Sequence, residues 1–311
     1  MTLPYKTPAA FRRALTDRLR SQAHPHGPWP LPELQRQFAY DRLLARLYLV
    51  DGDWIVKGAT ALLARELAVR RTVDIDLYRD TGREAAEHDL REAAVRDLGD
   101  WFRFETGRST PVSDGANGVR VPVTSRLGTT VWTRFHVDVV AENIRMTGAA
   151  EDVPPLPPLD VPGLERSGYR AYPLVDHIAD KTCAILERHG PEQRPSTRFK
   201  DLVDLVSVVS RTALPADEQR TALYSEAERR DLVLPAASPS RTAACGNPAT
   251  PPRRHAPWHC PPPPWTRRSP WCPRSSTRSS TDQHGETGTP GPPHGGLRDR
   301  TPRPRDTSTA R

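Results

Sequence analysis

The 311-residue chain is poor in apolar side chains, which make up 36% of it, and the shortage is concentrated at one end. From position 236 to 311 there is no Ile, Val, Phe, Tyr, Met or Lys, and Leu297 is the only leucine. Such a segment cannot bury enough apolar surface to offset the entropy of ordering it, which excludes a packed domain there. Cysteine is also scarce. Cys183, Cys245, Cys260 and Cys272 are the only four, and the three in the tail fit no zinc spacing, even beside His255 and His259. Nothing suggests a disulfide framework, and Cys183, alone in a helical pattern, reads as a small core residue. No apolar run approaches the ~20 residues that span a bilayer. The N-terminus lacks the apolar stretch of a secretion signal, so a cytoplasmic protein without membrane contact is expected.

Net positive charge is missing from the rest of the chain. The tail carries twelve arginines against Asp282, Glu286, Asp299 and Asp306, a net of +8, whereas the whole chain has +7. Residues 1–235 are therefore near neutral, at −1. Bulk charge does not mark this part as a nucleic-acid binder, and any RNA contact there must come from a local patch. The tail is written in Pro, Arg, Ser, Thr, Gly, Ala, Trp, Cys and His, many of whose codons are rich in G and C. Two readings stand: the product of a shifted frame, or a genuine disordered basic tail with weak nucleic-acid affinity. The gene sequence decides between them, since a frameshift requires another frame that continues a helical, leucine-containing pattern from about codon 235.

The remaining 235 residues are patterned. A short amphipathic helix is expected over 11–19, a second over 33–49, a strand over 54–56 and a helix over 60–69. A strand follows over 72–78, then a charge-laced helix over 83–98 and strands over 101–105, 119–123 and 130–140. The proline-rich stretch 154–162 reads as a domain boundary. Helices are expected over 175–189, 197–210 and 216–232. The predicted organisation is thus an N-terminal lobe over 1–153, a helical lobe over 154–235 and the tail over 236–311.

The chemistry gathers on two strands. Side chains alternate along a strand, so Asp74 and Asp76 share one face while Ile75 and Leu77 share the other. Two carboxylates so close repel unless a cation lies between them, and magnesium favours such oxygen ligands and brings phosphates with it. Upstream, Lys57-Gly58 forms a glycine turn ahead of a helix, where backbone N–H groups can meet an anion. On the later strand Arg134, His136 and Asp138 form one face and Phe135, Val137 and Val139 the other. If the two strands are neighbours, Asp138 completes a three-carboxylate set that suits magnesium-dependent phosphoryl or nucleotidyl transfer. Asp138 would then be placed to act as a base on an attacking hydroxyl. An aspartate pair spaced by one residue also occurs on ordinary strand edges, so Gly58 and Asp138 carry the weight. His136 reads as a structural or substrate-edge residue, and Arg134 as a phosphate contact or a carboxylate partner.

Lys57-Gly58-Ala59-Thr60-Ala61-Leu62, followed by Arg70-x-Thr72-x-Asp74-Ile-Asp76-Leu77, resembles the first motif of the AbiEii/AbiGii nucleotidyltransferase toxin family. That family belongs to the polymerase-beta-like nucleotidyltransferase superfamily. Lys181 on a helix, followed by Arg198-Phe-Lys-Asp201-Leu-Val-Asp204, is similar to its second block, and the resemblance covers about residues 8–232. It implies an α/β (α+β) fold, with a small mixed sheet in a nucleotidyltransferase lobe and a C-terminal helical lobe. It implies nucleotide contacts from Lys57, Gly58, Ala59, Thr60, Lys181, Asp201 and Asp204, and catalysis by Asp74, Asp76, Asp138 and Lys181. Asp74, Asp76 and Asp138 would hold the magnesium. Ala59 departs from the motif, where the family usually has a second glycine or a serine; its methyl crowds the backbone's approach to phosphate.

The second block also has a reading of its own. Lys181 shares an arc with Ile178 and Ile185, so it needs an anionic partner such as a triphosphate, unless it snorkels at the core rim. On the next helix Phe199, Leu202, Val203 and Val206 are expected to form the core stripe. Asp201 and Asp204 would lie on the opposite side, where they orient Lys181, bind nucleotide or are simply solvated. The resemblance further implies transfer of a nucleoside monophosphate from an NTP to an acceptor hydroxyl, the acceptor end of a tRNA being favoured. It also implies the toxin half of a bacterial toxin–antitoxin or phage-defence pair, with a cognate antitoxin as partner. The alternatives are a small-molecule (antibiotic) nucleotidyltransferase, and a catalytically inactive nucleic-acid-binding or regulatory protein.

Overall fold

Apolar and polar residues alternate along the strand at 118–127, and its apolar set Val119, Val121, Val123 and Leu127 is buried. The same period of two organises the whole sheet in the computed structural model, which describes residues 3–50, 52–112, 118–141, 144 and 146–235. All of these belong to one unit, Met1–His259. The expected tail at 236–311 lies outside the described residues, as does the whole of the second unit, Cys260–Arg311.

Eight strands form one sheet: β1 (Ile55–Lys57), β2 (Asp74–Arg79), β3 (Phe102–Thr106), β4 (Thr110–Pro111), β5 (Gly118–Leu127), β6 (Thr130–Ala141), β7 (Glu151–Val153) and β8 (Tyr169–Ala171). Their order is β3-β5-β6-β2-β1-β8-β7, with β4 also on β5. β2 runs parallel to β6 and β1 parallel to β8, and the other pairs are antiparallel, so the sheet is mixed as expected. Helices α1 (Pro8–Gln22), α2 (Leu31–Val50) and α4 (Arg83–Ala94) pack on one face. Thr7 starts α1 by accepting from the Ala10 N–H, with Pro8 pre-set for the first turn. Phe11, Leu15, Phe38, Leu43 and Leu47 meet Ile75, Leu77, Val121, Val137 and Val139 in the main core.

The proline-rich segment expected as a boundary is pinned to this core. Leu156, Val161 and Leu164 are buried in it, and the chain continues into β8 of the same sheet. Arg166 holds the segment by donating to the carbonyls of Leu156, Pro157 and Leu159 and to Asp41 on α2. Asp41 also accepts from the Tyr169 hydroxyl, and beside it Arg42 and Arg46 of α2 are both bound to Asp100. Asp41, Arg42, Arg46 and Asp100 are all buried, and their mutual pairing makes that burial tolerable. The sheet lobe therefore runs on to Ala171.

Helix α3 (Gly58–Ala64) is shorter than the 60–69 expected from composition. It is closed by a Schellman turn: Glu66 takes φ +57°, its N–H bonds Leu63 O, and the Leu67 N–H bonds Leu62 O. Leu62 and Leu67, the apolar pair that accompanies such a turn, pack together with Leu174, Ile178 and Val208. Helix α3 thus splices two cores, since Ala61, Leu63 and Ala64 belong to the main one.

The helical part comprises α5 (Leu174–Leu186), α6 (Phe199–Val209) and α7 (Ala216–Arg229). Cys183 on α5 is buried, as expected. The expected orientation of α6 is overturned. Phe199, Leu202, Val203 and Val206, read as its core stripe, are exposed, Phe199 at 71%, whereas Asp204 is 1% exposed. The cause is docking through the face that carries Asp204, Ser207 and Val208. Asp204 pairs with Arg70, the Ser207 hydroxyl donates to Leu67 O, and Val208 with Leu205 packs on Leu62, Leu67, Leu174 and Ile178, so α6 docks through a mixed face anchored by two polar groups.

Candidate functional site

Four strands place charged residues in one transverse row. Lys57 on β1 is in register with Asp76 on β2, Asp76 with Asp138 on β6, and Asp138 with Arg120 on β5. Residues in direct register point to the same face, so the row reads cation, carboxylate, carboxylate, cation across the sheet. One step along, Asp74 is in register with His136. The opposite face of these strands is the main core, so the row lies on the face turned away from it, with Tyr172 and α5 beside its Lys57 end.

Asp74 is oriented by two threonines. The Thr72 hydroxyl donates to Asp74 Oδ1 at 2.5 Å, and the Thr60 hydroxyl donates to the Asp74 carbonyl at 3.1 Å. Thr60 is fully buried, so it supports the aspartate strand and has no surface left for a nucleotide. Ala59 is buried too. Gly58 has φ +57°, and a Cβ there would lie 1.7 Å from Asp76 Oδ2. Backbone conformation and lack of space each require glycine at that position.

Asp76 has its pKa pushed up to about 7, first by burial and then by the charges of Asp74 and Asp138, with Lys181 and Lys57 opposing. Asp138 is buried and held by a fork from Arg120, at 2.7 and 2.6 Å. Arg120 itself is 43% exposed along its side chain. Lys57 lies over the Tyr172 ring at 4.1 Å. Burial lowers the pKa of its amine, against the opposing pull of Asp180 and Asp76. Asp180 would be raised by burial, but Lys57 and Arg230 outweigh that and hold it low.

The second block forms its own cluster. Lys181 donates to Asp201 Oδ1 at 2.6 Å and to Asp204 Oδ2 at 2.9 Å. Arg70 grips Asp204 through two bonds of 2.8 and 2.6 Å. The anionic partner that Lys181 requires is therefore supplied by the two aspartates. Arg70, from the first motif, ties the two blocks together. One turn before Lys181, His177 is buried with no hydrogen bond at either ring nitrogen among the described residues, and burial followed by Lys181 holds its pKa well down.

Asp74, Asp76 and Asp138 are thus brought together. Lys57 and Gly58 are brought to them, and Lys181 lies near enough to act on Asp76. Asp201 and Asp204 reach the site only through Lys181 and Arg70. Sequence reasoning missed Arg120 and the hydroxyl of Thr72. Arg120 sits at a polar position of an alternating strand, and only the register reveals its partner.

The donor set fits a hard divalent cation: three carboxylates face one side, and Asp76, whose pKa is raised first by burial and then by the charges of Asp74 and Asp138, is a carboxylate that a cation would stabilise in its charged form. The three are splayed, because Thr72 holds Asp74 and Arg120 holds Asp138. Among the described residues, the group whose ligand atoms already converge within 4.8 Å is His88, Asp89 and Glu92 on α4, away from this row.

The family model described as nucleotidyl transferase AbiEii toxin, type IV toxin–antitoxin system, matches residues 42–258. Among solved structures, the chain is similar to the nucleotidyltransferase toxin MenT4 of Mycobacterium tuberculosis H37Rv, with 15% identity and a TM-score of 0.42 over 70% of this chain and 96% of that one. JHP933 from Helicobacter pylori shows 15% identity and a TM-score of 0.38 over 63% and 75%. The antibiotic-resistance factor ANT(2'')-Ia shows 16% identity and a TM-score of 0.34 over 64% and 95%. No curated protein matches.

Proposed function

This chain belongs to the AbiEii family of nucleotidyltransferase toxins of type IV toxin–antitoxin systems, and on that premise we propose that Asp74, Asp76 and Asp138 form its catalytic centre. It transfers a nucleoside monophosphate from an NTP to a terminal hydroxyl of RNA, with the acceptor end of tRNA as the favoured target. The observation that carries this reading is the row of Asp76 and Asp138 beside Asp74, with the Asp76 carboxylate packed against Gly58 where no side chain would fit.

Asp74 and Asp76 would hold magnesium, joined by Asp138. Magnesium, when bound, supplies charge neutralisation at the phosphates and acidifies the attacking hydroxyl. Asp138 takes the proton of that hydroxyl once Arg120 has released its carboxylate. The hydroxyl oxygen forms a bond to the α-phosphorus, the bond to the bridging oxygen breaks, and pyrophosphate leaves with that electron pair. Arg120, left without its carboxylate, turns to the anionic substrate. Lys57 and Lys181 contribute positive potential beside Asp76, and Thr72 fixes the rotamer of Asp74. Asp201, Asp204 and Arg70 hold Lys181 in place. The family also implies an antitoxin partner. We take the antitoxin to be a neighbouring gene product and the pair to act in phage defence in the cytoplasm. Among the described residues no helix is long and apolar enough to cross a membrane.

The test is incubation of the protein with each labelled NTP and total RNA, with magnesium present or chelated. Label should enter RNA with one NTP, disappear on chelation, and disappear in Asp74→Ala with its circular dichroism unchanged. Equal labelling by Asp74→Ala would refute the catalytic reading. Labelling confined to a small molecule would refute the RNA acceptor.

A further inference from the structure

Beyond the carboxylates, this face of the sheet continues as a basic strip. From Asp138, His136 and Arg134 follow along β6 on the same face, and both are exposed. Arg134 is in register with Thr124, which is in register with Glu105 on β3. The next pair on that face is Arg126 of β5 directly opposite Arg103 of β3. Like charges directly opposite on neighbouring strands destabilise a sheet. Arg126 is relieved by Glu105 at 2.6 Å, but the side chains of Arg103 and Arg134 have no ion-pair or hydrogen-bond partner among the described residues. Residues 1–235 carry almost no net charge, so two unpaired guanidinium groups on the face that bears the carboxylates form the local patch an RNA contact requires.

We propose that this strip is the track for the unpaired 3′ end of an RNA acceptor, its phosphates meeting Arg134 first and the Arg103–Arg126 pair beyond; this rests on the RNA-acceptor reading above. Four residues of strand separate Arg134 from Asp138, a distance of about 13 Å. A stacked strand rises ~3.4 Å per nucleotide, so about four unpaired nucleotides reach from the reacting hydroxyl to Arg134. The six residues from Arg120 to Arg126 span about 20 Å, and about six nucleotides reach the arginine pair. A blunt duplex end brings its hydroxyl to the carboxylates without laying a single strand on the strip. The acceptor class is thereby narrowed to RNA with a single-stranded 3′ end of four or more nucleotides.

The experiment compares the full chain with two double variants, Arg103→Glu/Arg134→Glu and Arg13→Glu/Arg18→Glu. The second makes the same charge change on exposed positions of α1, behind the sheet. The probes are two hairpin RNAs, one blunt and one with six unpaired 3′ nucleotides, read by fluorescence anisotropy and by labelled-NTP transfer. The wild type should prefer the overhang RNA. Arg103→Glu/Arg134→Glu should weaken overhang binding at least about ten-fold at 50 mM salt, and its deficit should shrink about seven-fold at 200 mM, the change expected for two lost single-strand phosphate contacts. Its binding of the NTP alone, measured with a fluorescent analogue, should not change. Unchanged overhang binding in that variant, or an equal loss in Arg13→Glu/Arg18→Glu, overturns the track. Transfer to neither RNA by the wild type, with transfer to a small molecule, overturns the RNA-acceptor reading instead.

Discussion

Asp204→Ala tests how α6 is seated. The carboxylate is 1% exposed and accepts two bonds from Arg70 and one from Lys181. Removing one partner of a buried charge cluster costs about 3–5 kcal/mol, because the remaining charges lose their counter-ion. Arg70 is 24% exposed and can recover some water, and Lys181 keeps Asp201, so the low end, about 3 kcal/mol, is expected. The control is Val206→Ala on the exposed stripe. Val206 is 55% exposed, so the change removes about 1 kcal/mol or less of apolar burial. Urea unfolding followed by circular dichroism reads both. With a slope of roughly 2 kcal/mol per molar urea, Asp204→Ala should lower the midpoint by about 1.5 M and Val206→Ala by less than about 0.5 M. The reverse ranking would mean that α6 packs on its apolar stripe and would refute docking through the Asp204 face.

Four further outcomes are expected. Gly58→Ala should abolish transfer, because its Cβ would fall 1.7 Å from Asp76 Oδ2 in a left-handed backbone; activity above one-tenth of wild type, by labelled-NTP transfer, contradicts this. Asp76, raised to about 7 by burial and its aspartate neighbours, must lose its proton to bind a cation. Manganese affinity by calorimetry should therefore fall about ten-fold per pH unit below 7 and level off above it, and a flat profile from pH 5 to 8 contradicts the assignment. Arg120→Gln removes the fork on Asp138; manganese should bind it more tightly than wild type while transfer slows, and weaker binding would show that Arg120 supports the site instead of competing for it. Glu66→Gly relieves a non-glycine residue at φ +57°, so thermal unfolding should show roughly 1 kcal/mol of added stability.

The parts legible in advance share one property, a period of two or 3.6 over enough residues. Asp74 and Asp76 alternate with Ile75 and Leu77, and Asp138 alternates with Val137 and Val139, so the face of each carboxylate followed from the pattern alone. The adjacency of β2 and β6, on which the three-carboxylate set depends, did not follow from the pattern and comes from the order of the strands in the sheet. Arg120 was hidden for a physical reason: strand alternation gives the face but not the register, and only the register sets Arg120 opposite Asp138. The end of α3 was hidden because Glu66 occupies a left-handed position that usually announces itself as glycine. The stretch 154–162 looked like a linker because its prolines were visible, whereas its anchors, Asp41 and Arg166, lie 125 residues apart.

The orientation of α6 shows where pattern reading fails. An apolar stripe predicts the buried face only if the strongest attraction available to the helix is apolar. Here the neighbouring surface is a loop that offers Arg70 and the Leu67 carbonyl, together with Lys181 from α5. These groups need acidic and hydroxyl partners as they lose water, and Asp204 and Ser207 supply them. The same exchange explains why the two sequence blocks occur together. Arg70 precedes the aspartate strand by four residues, so its grip on Asp204 sets the helical lobe against the strand that carries Asp74 and Asp76. Lys181, held by Asp201 and Asp204, is thereby fixed near enough to oppose the rise in the pKa of Asp76. In this arrangement the aspartates of the second block hold Lys181 beside the first, at the cost of leaving the stripe of Phe199, Leu202, Val203 and Val206 facing outward.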